Sequence, residues 1–224
     1  MPAETVDSKL RIFLVDDHPL VREWLTNLIN TQPDLQVCGE AENGPQALQA
    51  ILTLKPKVAI VDISLKDSSG IELIKDLKLN LPSLAVLVLS MHEESHYAER
   101  ALRAGAAGYI IKRETTRKII TAIRQVLAGQ VYLSGEIATA LATQYVAGKI
   151  RAEHSPIEQL SDRELEVFEL LGQGRGTRQI AEVLRVSVKT VQAYCARIKE
   201  KLNLGSATEL LREAVRWYEA THKT

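Results

Sequence analysis

The sequence predicts an α/β fold. A five-stranded parallel, doubly wound sheet is followed by a linker containing one helix and then by a small all-α domain. Three observations carry this. Short unbroken apolar runs, such as Val58-Ala59-Ile60-Val61, are how strands buried on both faces read. From Leu10 to about Ala128 such runs alternate with helical stripes, the order of a parallel sheet covered on both sides. From Leu160 onward every periodic segment has the helical repeat. The expected regions are 10–128, 129–158 and 159–220.

Residues Met1 to Lys9 are polar and expected to fray. The first strand, Leu10 to Val15, ends in Asp16-Asp17. Pro19 to Ile29 has a helical stripe with proline at its start, which suits a first helical turn. Leu35 to Gly39 is a second short strand, and Gly44 to Leu54 a helix with Ala47, Leu48, Ile51 and Leu52 inward. The third strand runs from Lys57 into Asp62. Gly70 to Leu79 is the next helix, and Leu84 to Leu89 a strand that ends in Ser90. Ser95 to Ala104 is an alanine-rich helix, followed by the strand Gly108 to Ile111, which ends in Lys112. Thr116 to Leu127 places Ile119, Ile120, Ile123, Val126 and Leu127 on one face.

Gly129-Gln130 opens a different region. Ser134 to Val146 reads as a capped helix, and Ala147 to Gln159 has the composition of an exposed linker. Ser161 and Glu164 form a capping-box pattern ahead of a helix that reaches Gly172. Thr177 is expected to cap a short helix ending at Leu184. Ser187 caps a longer helix to about Leu202, and a last helix runs from Ser206 to about Tyr218.

With 28 basic and 28 acidic residues the net charge is zero, so no global pull toward nucleic acid or membrane follows. The two cysteines, Cys38 and Cys195, form no disulfide framework. No apolar signal region and no stretch of membrane-spanning length is present, so a cytoplasmic protein is expected, with no membrane partner.

The strand ends carry the chemistry. In open parallel sheets ligands bind beyond the carboxyl ends of the strands. Taken singly, Asp62 is a turn starter, Ser90 a turn hydroxyl and Lys112 a solvated lysine. Together with Asp16 and Asp17 they place three acids, a hydroxyl and an amine at one rim. Converging carboxylates repel, and a divalent cation relieves the repulsion. Oxygen-only ligands favour Mg²⁺. One carboxylate can then act as a nucleophile toward a phosphoryl group, with the ammonium and hydroxyl stabilising its charge.

This constellation resembles the receiver domain of bacterial response regulators, over about Leu10 to Leu127. The resemblance implies that Asp62 accepts a phosphoryl group from a sensor histidine kinase. It implies that Asp17, Asp62 and the backbone carbonyl of Ser64 bind Mg²⁺, with Asp16 acting through water. It implies that Ser90 and Lys112 hold the phosphate, and that Ser90 and Tyr109 form the switch pair. Two departures are visible: Lys66 and Arg113 stand where the family often has proline. Lys66 adds a positive charge near the site, so phosphate lifetime is expected to differ. Ser64 and His92 occupy positions that modulate access of water in that family.

In the helix after Ser187, Val188, Val191, Cys195, Ile198 and Leu202 form a buried stripe. The opposite face carries Lys189, Ala193, Ala196 and Arg197, flanked by Gln192 and Thr190. Between Arg185 and Lys201 five basic residues face one acidic residue, whereas Pro156 to Thr224 as a whole has 11 basic against 10 acidic. Basic charge is thus concentrated on one helix, as a major-groove helix requires. With the preceding helix and turn, this region resembles the LuxR-type helix-turn-helix domain, from about Gln159 to Tyr218. By that resemblance Gln192, Ala193 and Ala196 occupy base-reading positions, and Lys189, Thr190, Arg197 and Lys199 are expected at phosphates. The last helix is the family's dimer contact.

Both resemblances together match a NarL/FixJ-type response regulator, covering nearly the whole chain. The expected function is a transcription regulator that binds double-stranded DNA, dimerises when active and is switched at Asp62. Two other readings stay open: a DNA-binding regulator with a passive receiver, and an Asp-nucleophile phosphotransferase.

Overall fold

The computed structural model describes residues 9–65, 69–91, 95–146, 156–184 and 186–222. Lys66, His92, Arg185 and linker residues 147–155 lie outside the described residues. The chain forms two compact units, Met1–Ile150 and Arg151–Thr224. No helix among the described residues is long and apolar enough to cross a membrane.

The first unit alternates strand and helix: β1 (Leu10–Val15), α1 (Pro19–Asn30), β2 (Leu35–Ala41), α2 (Gly44–Leu54), β3 (Val58–Asp62) and α3 (Gly70–Asn80). It continues with β4 (Ala85–Ser90), α4 (Ser95–Arg103), β5 (Gly108–Ile111), α5 (Thr115–Leu127), β6 (Tyr132–Leu133) and α6 (Gly135–Val146). The sheet order is β2-β1-β3-β4-β5-β6, with every pairing parallel. One face of the sheet, through Ile12, Leu14, Ile60, Leu87, Leu89 and Ile110, packs on Leu25 and Ile29 of α1 and on Ile119, Ile123 and Val126 of α5. Burial of the strands on both sides explains their unbroken apolar runs.

The register places the rim. Val15 pairs with Val61, so the next residue of each strand, Asp16 and Asp62, comes level. Asp62 pairs with Leu89, and Ser90 with Ile111, so Ser90 and Lys112 extend the same edge. Gly70 opens α3 against the end of β3. A Cβ there would lie 2.3 Å from the Asp62 carbonyl oxygen and 2.7 Å from Ile63 Cα.

The sheet has six strands rather than the expected five. Gly129-Gln130 does not end the first unit. Tyr132 and Leu133 pair with Gly108 and Tyr109 of β5. The Tyr132 N–H donates to the Ala107 carbonyl (3.1 Å) and the Ser134 N–H to the Tyr109 carbonyl (3.2 Å). A Cβ on Gly108 would lie 2.9 Å from the Tyr132 carbonyl oxygen, so glycine makes this approach possible. Helix α6 then packs on α4, burying Ile137 completely. An ion pair joins Glu136 to Arg113 at 2.6 Å. Two residues are too short to register a period of two, so sequence pattern could not separate this strand from a linker. Its position has a physical reason: it covers an otherwise open sheet edge.

The second unit is helical: α7 (Asp162–Gly172), α8 (Thr177–Leu184), α9 (Val188–Lys201) and α10 (Ala207–His222). The expected capping box forms, with Ser161 accepting from the Glu164 N–H and the Glu164 carboxylate accepting from the Ser161 N–H. Helix α8 is capped differently from expectation. Gly176 stands at its N-cap, its N–H donating to Gln179 Oε1 (2.9 Å), while Thr177 is already helical. Helices α7 and α10 approach closely at Gly172, where a Cβ would meet the Ala214 carbonyl oxygen at 2.6 Å.

Helix α9 is tied to α7 by Lys201 Nζ, which donates to Glu164 Oε2 at 2.6 Å. Burial pushes the Glu164 carboxyl up, but the Lys201 ammonium and the Ser161 amide outweigh it, and the group lies below the ordinary carboxylate range. A depressed carboxylate contributes stability above its unfolded-state pKa and loses it as pH falls through its folded-state pKa.

Two outcomes follow from this packing. Gly70→Ala should lower stability of the first unit by about 1–3 kcal/mol, because its Cβ meets backbone rather than a yielding side chain; urea titration of the full chain checks this. Glu164→Gln should cost the second unit about 1–2 kcal/mol at pH 7 and progressively less below pH 4. Trp217 fluorescence in a Trp24→Phe background reports that transition.

Candidate phosphoacceptor rim and DNA-facing helix

The rim forms where three strands end. Asp62 closes β3, Asp16 and Asp17 follow β1, and Lys112 follows β5 in a short 3-10 turn. Asp16 and Asp62 are almost completely buried, at 1% and 2% exposure. Between them stands one ammonium: Lys112 Nζ lies 2.7 Å from Asp16 Oδ2 and 2.6 Å from Asp62 Oδ2. The Ser64 N–H donates to Asp62 Oδ1 at 3.1 Å. The guanidinium of Arg22, one turn into α1, donates to the Asp16 backbone carbonyl.

Two buried carboxylates share one cation, and the proton equilibria follow from that count. Burial pushes the Asp62 carboxyl above its ordinary value; Lys112 draws it back and the Asp16 charge adds to the rise. Burial presses the Lys112 ammonium down, yet the charges of Asp62 and Asp16 outweigh it and hold Lys112 above its ordinary value. Among the described residues the rim is therefore short of positive charge. Asp17 Oδ1 is buried with no hydrogen-bond donor among the described residues. Acceptor oxygens in excess of donors, one of them orphaned, suit a hard divalent cation such as Mg²⁺.

The structure brings Asp16, Asp17, Asp62 and Lys112 together, with the Ser64 backbone against Asp62. Ser90 is fully buried at the end of the adjacent strand. Tyr109 is fully buried in β5, paired with Val88. Sequence reading missed His18, whose Nδ1 lies 3.1 Å from Asp16 Oδ1 and 2.9 Å from Asp17 Oδ1. The signal was present in Pro19. The residue before a proline is pushed toward extended backbone, and His18 sits at φ −92°, ψ 108° with no side-chain cap bond to the helix.

In the second unit α9 exposes most of the face expected of it, but only two of the five residues expected in its buried stripe are buried. Val191 and Ile198 are buried, while Lys189, Gln192, Ala193, Ala196 and Arg197 are exposed. Val188, Cys195, Leu202 and Lys199 are half-buried. Thr190 is engaged in the helix cap, its N–H donating to Ser187 Oγ at 3.1 Å. The Arg197 guanidinium lies 5.3 Å from the Tyr194 ring centroid, a cation–π distance.

Comparison with known proteins matches both halves. The family model of the response regulator receiver domain covers residues 12–124, and that of bacterial regulatory proteins of the luxR family covers 158–214. The oxygen regulatory protein NreC of Staphylococcus epidermidis is 34% identical over 212 residues, spanning 92% of this chain and 97% of that protein. A two-component response regulator of the LuxR family from Aurantimonas sp. SI85-9A1 superposes on 62% of this chain and 99% of its own, with TM-score 0.60 and 34% identity. RcsB from Salmonella enterica serovar Typhimurium, solved bound to promoter rprA in the presence of the phosphomimetic BeF3-, covers 92% of this chain and 98% of its own, with TM-score 0.56 and 25% identity.

The charge shortage has a measurable consequence. A carboxyl raised above its unfolded value costs stability while ionised, and the cost vanishes once pH falls low enough to protonate it in both states. Asp62→Asn should therefore stabilise the first unit at pH 7 in chelator. A gain of about 1 kcal/mol would raise its melting midpoint by ~2–4 °C, and the difference should shrink as pH is lowered. Calorimetry of both proteins across pH checks the sign.

Proposed function

The chain belongs to the response regulators that join a receiver domain to a luxR-family DNA-binding domain, transcription regulators rather than catalytic enzymes, and on that premise we propose that Asp62 is its phosphoacceptor and that phosphorylation controls its hold on DNA. The observation that carries this is the shared ammonium of Lys112, 2.6 Å from Asp62 and 2.7 Å from Asp16.

A carboxylate attacks phosphorus only when ionised, and Lys112 favours the ionised form of Asp62 against its burial. The donor is a phosphohistidine of a sensor histidine kinase. The N–P bond of the kinase breaks, an O–P bond forms at Asp62, and the released imidazole takes up a proton. Asp17, Asp62 and the Ser64 carbonyl, with Asp16 through water, are the residues that would hold Mg²⁺, which supplies charge neutralisation at the phosphoryl oxygens. Lys112 can transfer its hydrogen bond from the carboxylate to a phosphoryl oxygen, and the Ser90 hydroxyl is the further donor at this edge.

Movement of Ser90 bears on β4 and hence on Tyr109 in β5. The carbonyl of Tyr109 accepts from the Ser134 N–H, where β6 leads into α6. A change in the switch strand is thus delivered directly to the segment that leads toward the second unit. The regulator works as a population shift: the charge added at Asp62 favours one of two arrangements.

At DNA, α9 enters the major groove. Gln192 pairs with an adenine edge and Ala193 and Ala196 lie against thymine methyls. Lys189, Arg197 and Lys199, with Thr190, meet phosphates and fix the register. The RcsB complex, a protein of this architecture held on a promoter with a phosphate mimic, supports this reading. The active form is a homodimer, joined in the second unit through α10.

The test uses the full chain with a small phosphodonor and Mg²⁺. One phosphoryl group per chain should appear, absent in Asp62→Asn, and affinity for the protected operator should rise ~5–150-fold. Phosphorylation at another residue would remove Asp62 from the mechanism. Unchanged operator binding on phosphorylation would make the receiver a passive module.

A further inference from the structure

We propose that His18 is a nitrogen ligand of the receiver's cation, so that this rim takes borderline divalent ions, Mn²⁺ through Zn²⁺, in preference to what an oxygen-only site would. The proposal rests on the reading of the rim as the cation site and adds a donor to it.

Four residues offer ligand atoms within 4.8 Å of one another: Asp16, Asp17, Asp62 and His18. The spacing at His18 is informative. Its Nδ1 lies 2.9 Å from Asp17 Oδ1 and 3.1 Å from Asp16 Oδ1. With metal–ligand bonds of 2.0–2.1 Å, neighbouring ligands of an octahedral ion stand about 2.9 Å apart. The same spacing also suits a hydrogen bond, and the two contacts differ on this point. Nδ1 and Asp16 Oδ1 meet as hydrogen-bond partners. Nδ1 and Asp17 Oδ1 stand in ion-pair contact only: among the described residues that oxygen is buried without a hydrogen-bond partner. With the one ring proton engaged at Asp16, Nδ1 and Asp17 Oδ1 keep the spacing of two donors to a third atom.

The backbone holds the ring there. Pro19 begins α1 and keeps residue 18 extended, and the His18 N–H donates to Asp16 Oδ1 at 2.8 Å. The imidazole makes no side-chain cap bond to α1. It is 43% exposed, and its Nδ1 faces the acids. Ligation uses the Nδ1 lone pair, so the proton that Nδ1 shares with Asp16 moves to Nε2 or to solvent when the ion enters. Mg²⁺ is held by oxygens and retains its waters, whereas imidazole favours the later first-row ions. A nitrogen in place of one water therefore changes which ion is selected without removing any carboxylate.

The test is spectroscopic and uses the full, unphosphorylated chain with Mn²⁺ as probe. Electron spin-echo modulation should show a ¹⁴N coupling that changes to ¹⁵N when histidine alone is labelled. The coupling should vanish in His18→Ala, with Mn²⁺ affinity falling on the order of ten-fold while Mg²⁺ affinity, measured by competition, changes less than about two-fold. Mn²⁺ bound without histidine modulation, or with modulation that survives His18→Ala, overturns the proposal and leaves the cation site intact. Loss of Mn²⁺ binding in Asp17→Ala is the separate check on that site. A wild-type chain that binds no Mn²⁺ defeats both readings at once.

Discussion

Between the carboxylates of Asp16 and Asp62 stands one ammonium, that of Lys112, and the first unit is arranged so that these three groups must meet. They lie 96 and 50 residues apart along the chain, joined only by strand register. The cost of burying two acids is large, and the one cation they share among the described residues does not cancel it. On the reading proposed above, the remaining negative charge would make the rim receptive to a metal ion and would let Lys112 change partner when a phosphoryl group arrives, so that stability and switching would draw on the same imbalance.

The edge of the sheet shows how such a response can leave the site. The strand carrying Tyr109 is not the last in the sheet, because Tyr132 and Leu133 pair along it and Ser134 continues the hydrogen bonding. The Ser134 hydroxyl is itself buried and accepts from the Ile111 N–H at 3.3 Å. Residues that by composition read as the start of a linker are thus part of the body that contains Asp62. Helix α6, seated on α4, extends that body further. In the second unit the same economy appears on a smaller scale. Glu164 caps α7 and also anchors Lys201 at the end of α9, so the orientation of α9 depends on a residue in the first helix of its unit.

His18 and Gly176 show where local reading stops. Asp16, Asp17, Asp62 and Lys112 were legible because each ends an apolar run, and strand ends in a parallel sheet converge by topology. Nothing in periodicity distinguishes His18 from any loop histidine; its nearness to Asp17 is decided by the turn into α1. Thr177 looked like the better cap because its side chain can accept a hydrogen bond. Gly176 takes the position because Gln179 reaches back to its N–H, a contact that needs the helix to exist first. Lys189, Gln192, Ala193, Ala196 and Arg197 on the exposed face of α9 were legible, since a hundred-degree step between residues is set by the helix alone, whereas Thr190 and Lys199 are half-buried.

The amino-acid order by itself determined the alternation of strands and helices, the faces they bury and the residues at their ends, because these depend on periods of two and 3.6 and on caps a few residues long. It also determined the family, through the residues that end successive strands and the spacing of the helix-turn-helix segment. Only the tertiary structure decided that a two-residue strand closes the sheet, that one lysine serves two acids, and that an imidazole joins them. The first two are pairings between distant segments, fixed by register and packing, which have no local signature; the third depends on the turn by which the chain enters α1.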